Sequence, residues 1–177
     1  IYLNEARTRY QQVIDQWPDQ PIAGEATLRL AGSYIATFDP EQSRKGLAVL
    51  QQWLESHPKE RLASGMWQYI GDTYFEQFQE YRPALDALIK ADEIGFLEKG
   101  REGPIYWRMA VIAERHLNDL PTAIKYYTKI VTMTPTSGKG YESQLALQRL
   151  GAPVPELILS VGGASATTQP ARKEVKP

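Results

Sequence analysis

The stretch that decides the fold is residues 104–135, PIYWRMAVIAERHLNDLPTAIKYYTKIVTMTP. Apolar side chains recur in it at helical spacing on both sides of the NDLP segment at 118–121. This periodicity predicts one helix over about 103–117 and a second over about 120–133, with Pro135 closing the second. Since the connection is short, we expect the two helices to pack against each other as an antiparallel pair.

One pattern from this stretch recurs along the chain at intervals of 38 to 40 residues. In each copy a small residue is followed four residues later by a large apolar residue. The pairs are Ala6 and Tyr10, Gly46 and Leu50, Ala84 and Leu88, and Ala123 and Tyr127. A small side chain one turn away from a large one allows two helices to approach closely. The recurrence therefore predicts a repeat protein built from stacked helical hairpins.

The same periodicity extends to most of the chain. Asp39 is a good helix cap and Pro40 is tolerated at the first helical position, so a helix is expected to start there. Gly95 is expected to end another. The further helices are predicted over about 2–16, 22–38, 40–56, 60–79, 81–93 and 137–150. The predicted fold class is all-α.

The composition limits the classes of function. The chain of 177 residues has no cysteine, which excludes disulfides, thiolate catalysis and cysteine-based metal sites. Its net charge of -1 argues against a nucleic-acid partner. No stretch approaches the roughly 18 to 20 consecutive apolar residues of a membrane span, so we expect no membrane insertion. The chain begins at Ile1 rather than Met, so we expect that its natural start was removed, and a signal peptide, a lipid anchor or upstream repeats could have been removed with it.

The chain is predicted to divide into two parts. Residues 1–150 are expected to form the helical repeat domain, and residues 151–177 form a tail rich in Pro, Gly, Ala, Ser and Thr. Within the tail, residues 154–161 are apolar enough to dock. We favour docking on the last helix of the same chain, and docking on a second molecule is the alternative.

Residues 104–135 resemble one unit of the tetratricopeptide repeat, a helix-turn-helix module. Trp107 matches the early aromatic of the first helix, and Ala123 matches the packing alanine of the second. Tyr127 matches the aromatic of the second helix, and Pro135 matches the closing proline. Residues elsewhere match more loosely: 25–58 and 64–96 resemble whole units, 1–18 resembles only a second helix, and 137–150 resembles only a first helix.

The resemblance implies a right-handed solenoid of antiparallel helix pairs, with about three full repeats and a half-repeat at each end. The sequence of residues 17–34, WPDQPIAGEATLRLAGSY, is similar to repeats of bacterial cell-envelope proteins that scaffold periplasmic or outer-membrane assemblies. It implies the cell envelope, in the periplasm or anchored at a membrane, as the location, and the cytoplasm is the alternative.

In the tetratricopeptide-repeat family, four positions of each first helix line a concave groove. Carried over to this chain, the candidate partner-binding residues are Arg29, Ser33, Gln68, Asp72, Phe75, Arg108, Ile112 and Arg115. Arg108 and Arg115 offer paired donors that suit a carboxylate or a peptide backbone. The alternative is that they are solvated arginines on an exposed helix face.

Catalytic and metal-binding patterns are weak. His57 and His116 lack ligand spacing around them and are expected to be surface histidines. Asp72 and Glu76 lie one helical turn apart, but such pairs are common on solvated faces. The SGKG segment at 137–140 lacks the glycine spacing and the preceding strand of a phosphate loop. We therefore predict no enzyme activity, no cofactor and no metal.

The predicted function is a non-enzymatic scaffold that binds a partner protein or peptide through its groove or its open ends, as in the assembly of a protein complex. One alternative is a structural subunit of a homopolymer or a large assembly. In that alternative the unpaired first helix at the C-terminal end completes the unpaired second helix of the next copy. Another alternative is a regulatory repeat domain of a larger enzyme.

Overall fold

The computed structural model describes residues 2–100 and 102–155. In these ranges the chain forms eight α-helices and no β-strand, which confirms the predicted all-α class. The helices are α1 (Tyr2–Gln16), α2 (Pro21–Ile35), α3 (Pro40–Ser56), α4 (Ala63–Thr73), α5 (Tyr81–Ile94), α6 (Gly103–Val111), α7 (Leu120–Met133) and α8 (Gly138–Arg149). A π-helical turn continues α4 over Tyr74–Phe78, and another continues α6 over Ile112–His116.

Polar caps explain why several of these helices begin where they do. The Asp39 side chain accepts a hydrogen bond from the Gln42 backbone N–H at 2.8 Å, which confirms the predicted cap of α3. Asp119 caps α7 in the same way. Ser137 caps α8. Each cap satisfies a backbone donor that the first turn of a helix leaves free.

Each helix packs mainly on its neighbours in the sequence, with extensive contact between α2 and α3, α4 and α5, and α6 and α7. The small residues of the recurring pattern lie at these contacts: Gly46, Ala84 and Ala123 are all buried. An ideal Cβ on Gly71 of α4 would lie 2.7 Å from Cγ of Leu88 in α5, so only glycine allows this approach. Ala6 is only half-buried, because α1 has extensive contact with α2 alone.

Two clusters of buried side chains form the core. One is formed by residues of α2, α3 and α4, together with Ala87 of α5. The other is built from α5, α6, α7 and α8. Trp67 and Tyr74 pack against both clusters, so the apolar interior is continuous along the described helices.

The turns inside the helix pairs share a backbone conformation. Phe38, Gln79 and Asn118 have φ values of 55°, 54° and 51°, and each directly precedes the residue before the next helix. The apolar face of α2 predicted that this helix extends to residue 38. Phe38 has a left-handed conformation, and a right-handed helix cannot include such a residue. Helix α2 ends at Ile35 instead.

The chain reverses direction after α8. Gly151 has a φ of 68°, and the Ala152 backbone N–H donates to the Leu147 carbonyl at 2.9 Å, as expected where a left-handed glycine ends a helix. Val154 then packs against the second core cluster. The rest of the predicted tail, including most of the segment 154–161 predicted to dock, lies outside the described residues.

Candidate functional site

Four of the predicted partner-binding residues come together where α4 faces α6. Arg108 donates a hydrogen bond to the Asp72 carboxylate, and its Nη1 lies 3.6 Å from Oε1 of Glu76. The Arg108 guanidinium lies 5.4 Å from the centroid of the Phe75 ring. Gln68 lies one helical turn before Asp72, and its side chain acts to lower the pKa of the Asp72 carboxyl. We call Gln68, Asp72, Phe75, Glu76 and Arg108 the α4–α6 cluster.

The charge of Arg108 is compensated within this cluster. Two carboxylates, those of Asp72 and Glu76, face one guanidinium. Burial raises the pKa of the Asp72 carboxyl, the nearby Arg108 lowers it, and the Glu76 charge raises it again, so that the net direction is upward. A carboxylate of a partner would have to compete with Asp72 for Arg108. Arg108 is therefore less available to a partner's anionic group than the sequence predicted.

The other predicted residues are not part of this cluster. Arg29 and Arg115 are exposed on α2 and on the π-helical turn after α6. Ser33 accepts a hydrogen bond from Nε of Arg7 at 3.0 Å and donates to the Leu30 carbonyl at 2.7 Å, so its hydroxyl is engaged within the chain.

The prediction that Ile112 lines an accessible groove is wrong. Ile112 is completely buried and belongs to the core cluster shared by α6 and α7. It opens the π-helical turn Ile112–His116. The residues before it, Gly103–Val111, form a regular α-helix, and the face of that helix that carries Ile112 packs into the core instead of lining a groove.

The two histidines lie against aromatic rings. The ring of His57 stacks on Trp53 at a centroid distance of 3.7 Å, and that of His116 stacks on Tyr81 at the same distance. Within the described ranges, no group of three or more His, Cys, Asp or Glu side chains comes together in a way that could hold a metal ion.

A groove that we did not predict lies between α1 and α3, with α2 as its floor. It contains two adjoining cavities: one of about 510 Å³ is lined by α1 and α2, and one of about 350 Å³ is lined by residues of α1, α2 and α3. We call it the α1–α3 groove. Its lining includes Asn4, Gln11 and Gln12 of α1, Leu30 of α2, and Gln52 and Trp53 of α3. A row of amide side chains on α1 is the sequence signal that could have indicated it.

Comparison of the chain with family models, with curated proteins and with solved structures finds no match. Among the described residues, none of the helices has the length and apolar character needed to cross a bilayer. The function proposed below therefore rests on the residues and contacts of this chain.

Proposed function

We propose that the chain is a non-enzymatic scaffold that binds a partner protein or peptide. In this proposal the helix pairs stack as a right-handed solenoid of the tetratricopeptide-repeat kind, and the first helices of the pairs line the concave face. Proteins of this architecture present extended surfaces to partners. The envelope of a bacterial cell is the proposed location, on the resemblance of residues 17–34 to envelope repeats. The cytoplasm is the alternative location.

The observation that carries the proposal is a side-chain contact that recurs in register. Nη1 of Arg44 lies 3.1 Å from Oε2 of Glu80, and Nη1 of Arg82 lies 3.4 Å from Oδ2 of Asp119. Both arginines stand two residues before the small residue of the recurring pattern, and both acceptors directly precede the next helix of the same type. Equivalent contacts between successive units support a regular stack, and a regular stack aligns its first helices on one side.

Site-specific photo-cross-linking in bacterial cells tests this function. A photo-reactive amino acid is placed at Arg29 or at Arg115, which are exposed residues predicted to lie in the groove. We expect one discrete cross-linked protein from both positions. The matched controls carry the same amino acid at the exposed residues Asp86 of α5 and Lys125 of α7, and we expect no such product from them.

A substitution extends the same experiment. With the cross-linker at Arg29, replacing both Arg108 and Arg115 by alanine is expected to weaken the cross-linked product, since arginine is enriched among the interface residues whose truncation costs more than about 1 kcal/mol. Circular dichroism should show unchanged helicity. Equal cross-linking from the concave and the control positions would contradict the proposed binding face.

Exposed apolar side chains at the two ends favour a second candidate function, a subunit of a head-to-tail homopolymer. Helix α1 is described over its full length, Tyr2–Gln16, and none of its residues is buried. Leu3 of α1 is 47% exposed, and Trp17, which follows α1, is 49% exposed. On α8, Tyr141 and Leu145 are 61% and 47% exposed. Contacts between two different ends generate rings or filaments.

Light scattering across a range of protein concentrations distinguishes the two candidates. A homopolymer should show a mass that rises with concentration above the 20.0 kDa of one chain. A constant mass of one chain would exclude the homopolymer and leave the scaffold as the proposed function.

A further inference from the structure

Helix α8 has an apolar face that the other described residues leave exposed. Its buried residues, among them Ala146 and Leu147, belong to the second core cluster. Tyr141 and Leu145 lie one helical turn apart on another side of α8 and are 61% and 47% exposed. We call Tyr141 and Leu145 the α8 face. In stacked helical proteins a terminal helix needs a cap that shields such side chains from water.

The chain leaves α8 in a way that keeps it beside this end of the core. The left-handed Gly151 and the hydrogen bond from the Ala152 N–H to the Leu147 carbonyl turn the chain back at the end of α8. Val154 is then partly buried against the second core cluster, to which α8 contributes. The chain therefore passes from Pro155, the last described residue, into residue 156 close to α8.

Residues 156–161, ELILSV, have the composition and the length to cover the α8 face. They contain all of the leucine and isoleucine in residues 156–177, and the remainder of that stretch consists mostly of small, polar and charged residues. Tyr141 lies about 14 Å before Leu150 along the axis of α8. Six extended residues span about 20 Å, so the segment is long enough to reach both residues of the α8 face.

We infer that residues 156–161 pack on the α8 face of their own chain and close this end of the helical domain. Contact between the apolar side chains of this segment and those of Tyr141 and Leu145 removes apolar surface of both from water, which is the main driving force for such association.

The covalent connection favours this segment over a second copy of the chain as the occupant of the α8 face. A segment attached through a few residues has an effective concentration in the millimolar range, far above that of a second molecule in a dilute solution. Helix α1 of a second copy is also a poor counterpart, because every exposed residue of α1 from Asn4 to Gln16 is polar.

This inference goes beyond the proposed function, because it involves no partner molecule. It also bears on the second candidate function. A covered α8 face is not available to the next copy in a head-to-tail homopolymer.

Engineered cysteines test the inference, because the natural chain contains none. The test variant is the full chain with Tyr141→Cys and Ser160→Cys, which keeps Leu145 and every apolar residue of 156–161. The equilibrium between the two thiols and their disulfide, measured in glutathione buffers, gives the effective concentration of one thiol at the other. The matched control carries Lys139→Cys and Ser160→Cys. Lys139 is also exposed and only two residues from Tyr141, but it faces about 160° away from it around the helix.

We expect an effective concentration about tenfold or more higher in the test variant than in the control, since burial of a single leucine side chain already corresponds to a ratio of that size. Adding Leu157→Ser and Leu159→Ser to the test variant is expected to lower the value to that of the control. These two replacements remove apolar groups of the segment and leave the described helices unchanged.

Three results would overturn the inference. The first is an equal effective concentration in the test and control variants. The second is a value in the test variant that the Leu157 and Leu159 replacements do not lower, since the tether alone then explains it. The third is disulfides that form mainly between two chains, in which case a second copy occupies the α8 face and the homopolymer gains support. The scaffold is tested separately, by the cross-linking at Arg29 and Arg115.

Discussion

Replacing Asp92 by asparagine is expected to lower the free energy of unfolding by about 2 to 3 kcal/mol at neutral pH, because it removes the buried carboxylate from an ion pair with a partly exposed lysine. The Asp92 side chain is 7% exposed, and Nζ of Lys129 lies 2.6 Å from its Oδ2. The hydroxyls of Tyr106 and Tyr126 donate to the same carboxylate at 2.9 and 3.1 Å. The substitution leaves Lys129 unpaired and weakens both tyrosine hydrogen bonds.

The same site predicts how stability depends on pH. Burial opposes the charged form of Asp92, but the hydrogen bonds from Lys129, Tyr106 and Tyr126 outweigh it and lower the pKa of the carboxyl. A carboxyl whose pKa is lower in the folded state stabilises the fold above its unfolded pKa of about 3.9. That contribution is lost as the pH falls through the folded pKa.

Urea denaturation followed by circular dichroism, at neutral pH and at several values below about pH 4, measures both effects. The control is Asp86→Asn, the same chemical change at an exposed position on the same helix, α5. It should leave the free energy of unfolding nearly unchanged. If Asp92→Asn were as stable as the control at neutral pH, the buried network would not stabilise the fold.

Replacing Gly46 by alanine is expected to lower the free energy of unfolding by about 2 to 3 kcal/mol, the upper part of the range for an overpacked core. An ideal Cβ at this position would lie 2.7 Å from the Ala31 carbonyl oxygen and 2.7 Å from Cγ1 of Ile35. Ile35 is buried and β-branched, so its Cγ1 has little freedom to move, and the Ala31 carbonyl belongs to the backbone of α2 and cannot turn aside. Helices α2 and α3 would therefore have to separate.

The matched control is Gly138→Ala at the first residue of α8, where an added Cβ meets no atom within 4 Å. Alanine favours a helix over glycine by up to about 1 kcal/mol, so this variant should be as stable as the natural chain or more stable. Thermal unfolding of both variants measures the difference. Equal stability of the two would mean that α2 and α3 do not pack as closely as described.

Local chemistry explains which features could be predicted from the sequence. Helices α3 and α7 start where the sequence predicted. Their caps, Asp39 and Asp119, each bind a backbone N–H only three residues later, so they do not depend on how the helices pack. The burial of Ala84 and Ala123 also follows from a local pattern of small and large residues. Such features depend on residues that are close together in the chain, and the sequence displays them directly.

Features that depend on distant residues were not predictable. Asp72 and Arg108 pair although 36 residues separate them, and periodicity alone does not reveal which charges meet. Ile112 was misplaced because it belongs to a core cluster whose other members include residues of α5, α7 and α8, which are distant from it in the sequence. The α1–α3 groove was missed because exposed glutamines such as Gln12 and Gln52 are common on ordinary solvated helix faces.

The sharing of Trp67 and Tyr74 between the two core clusters bears on how the chain denatures. In a protein with two core clusters, the coupling between the clusters decides whether each unfolds separately or both unfold in one cooperative transition. Each of these aromatic rings loses part of its packing as soon as either cluster opens. The junction therefore couples the two halves thermodynamically and favours a single transition.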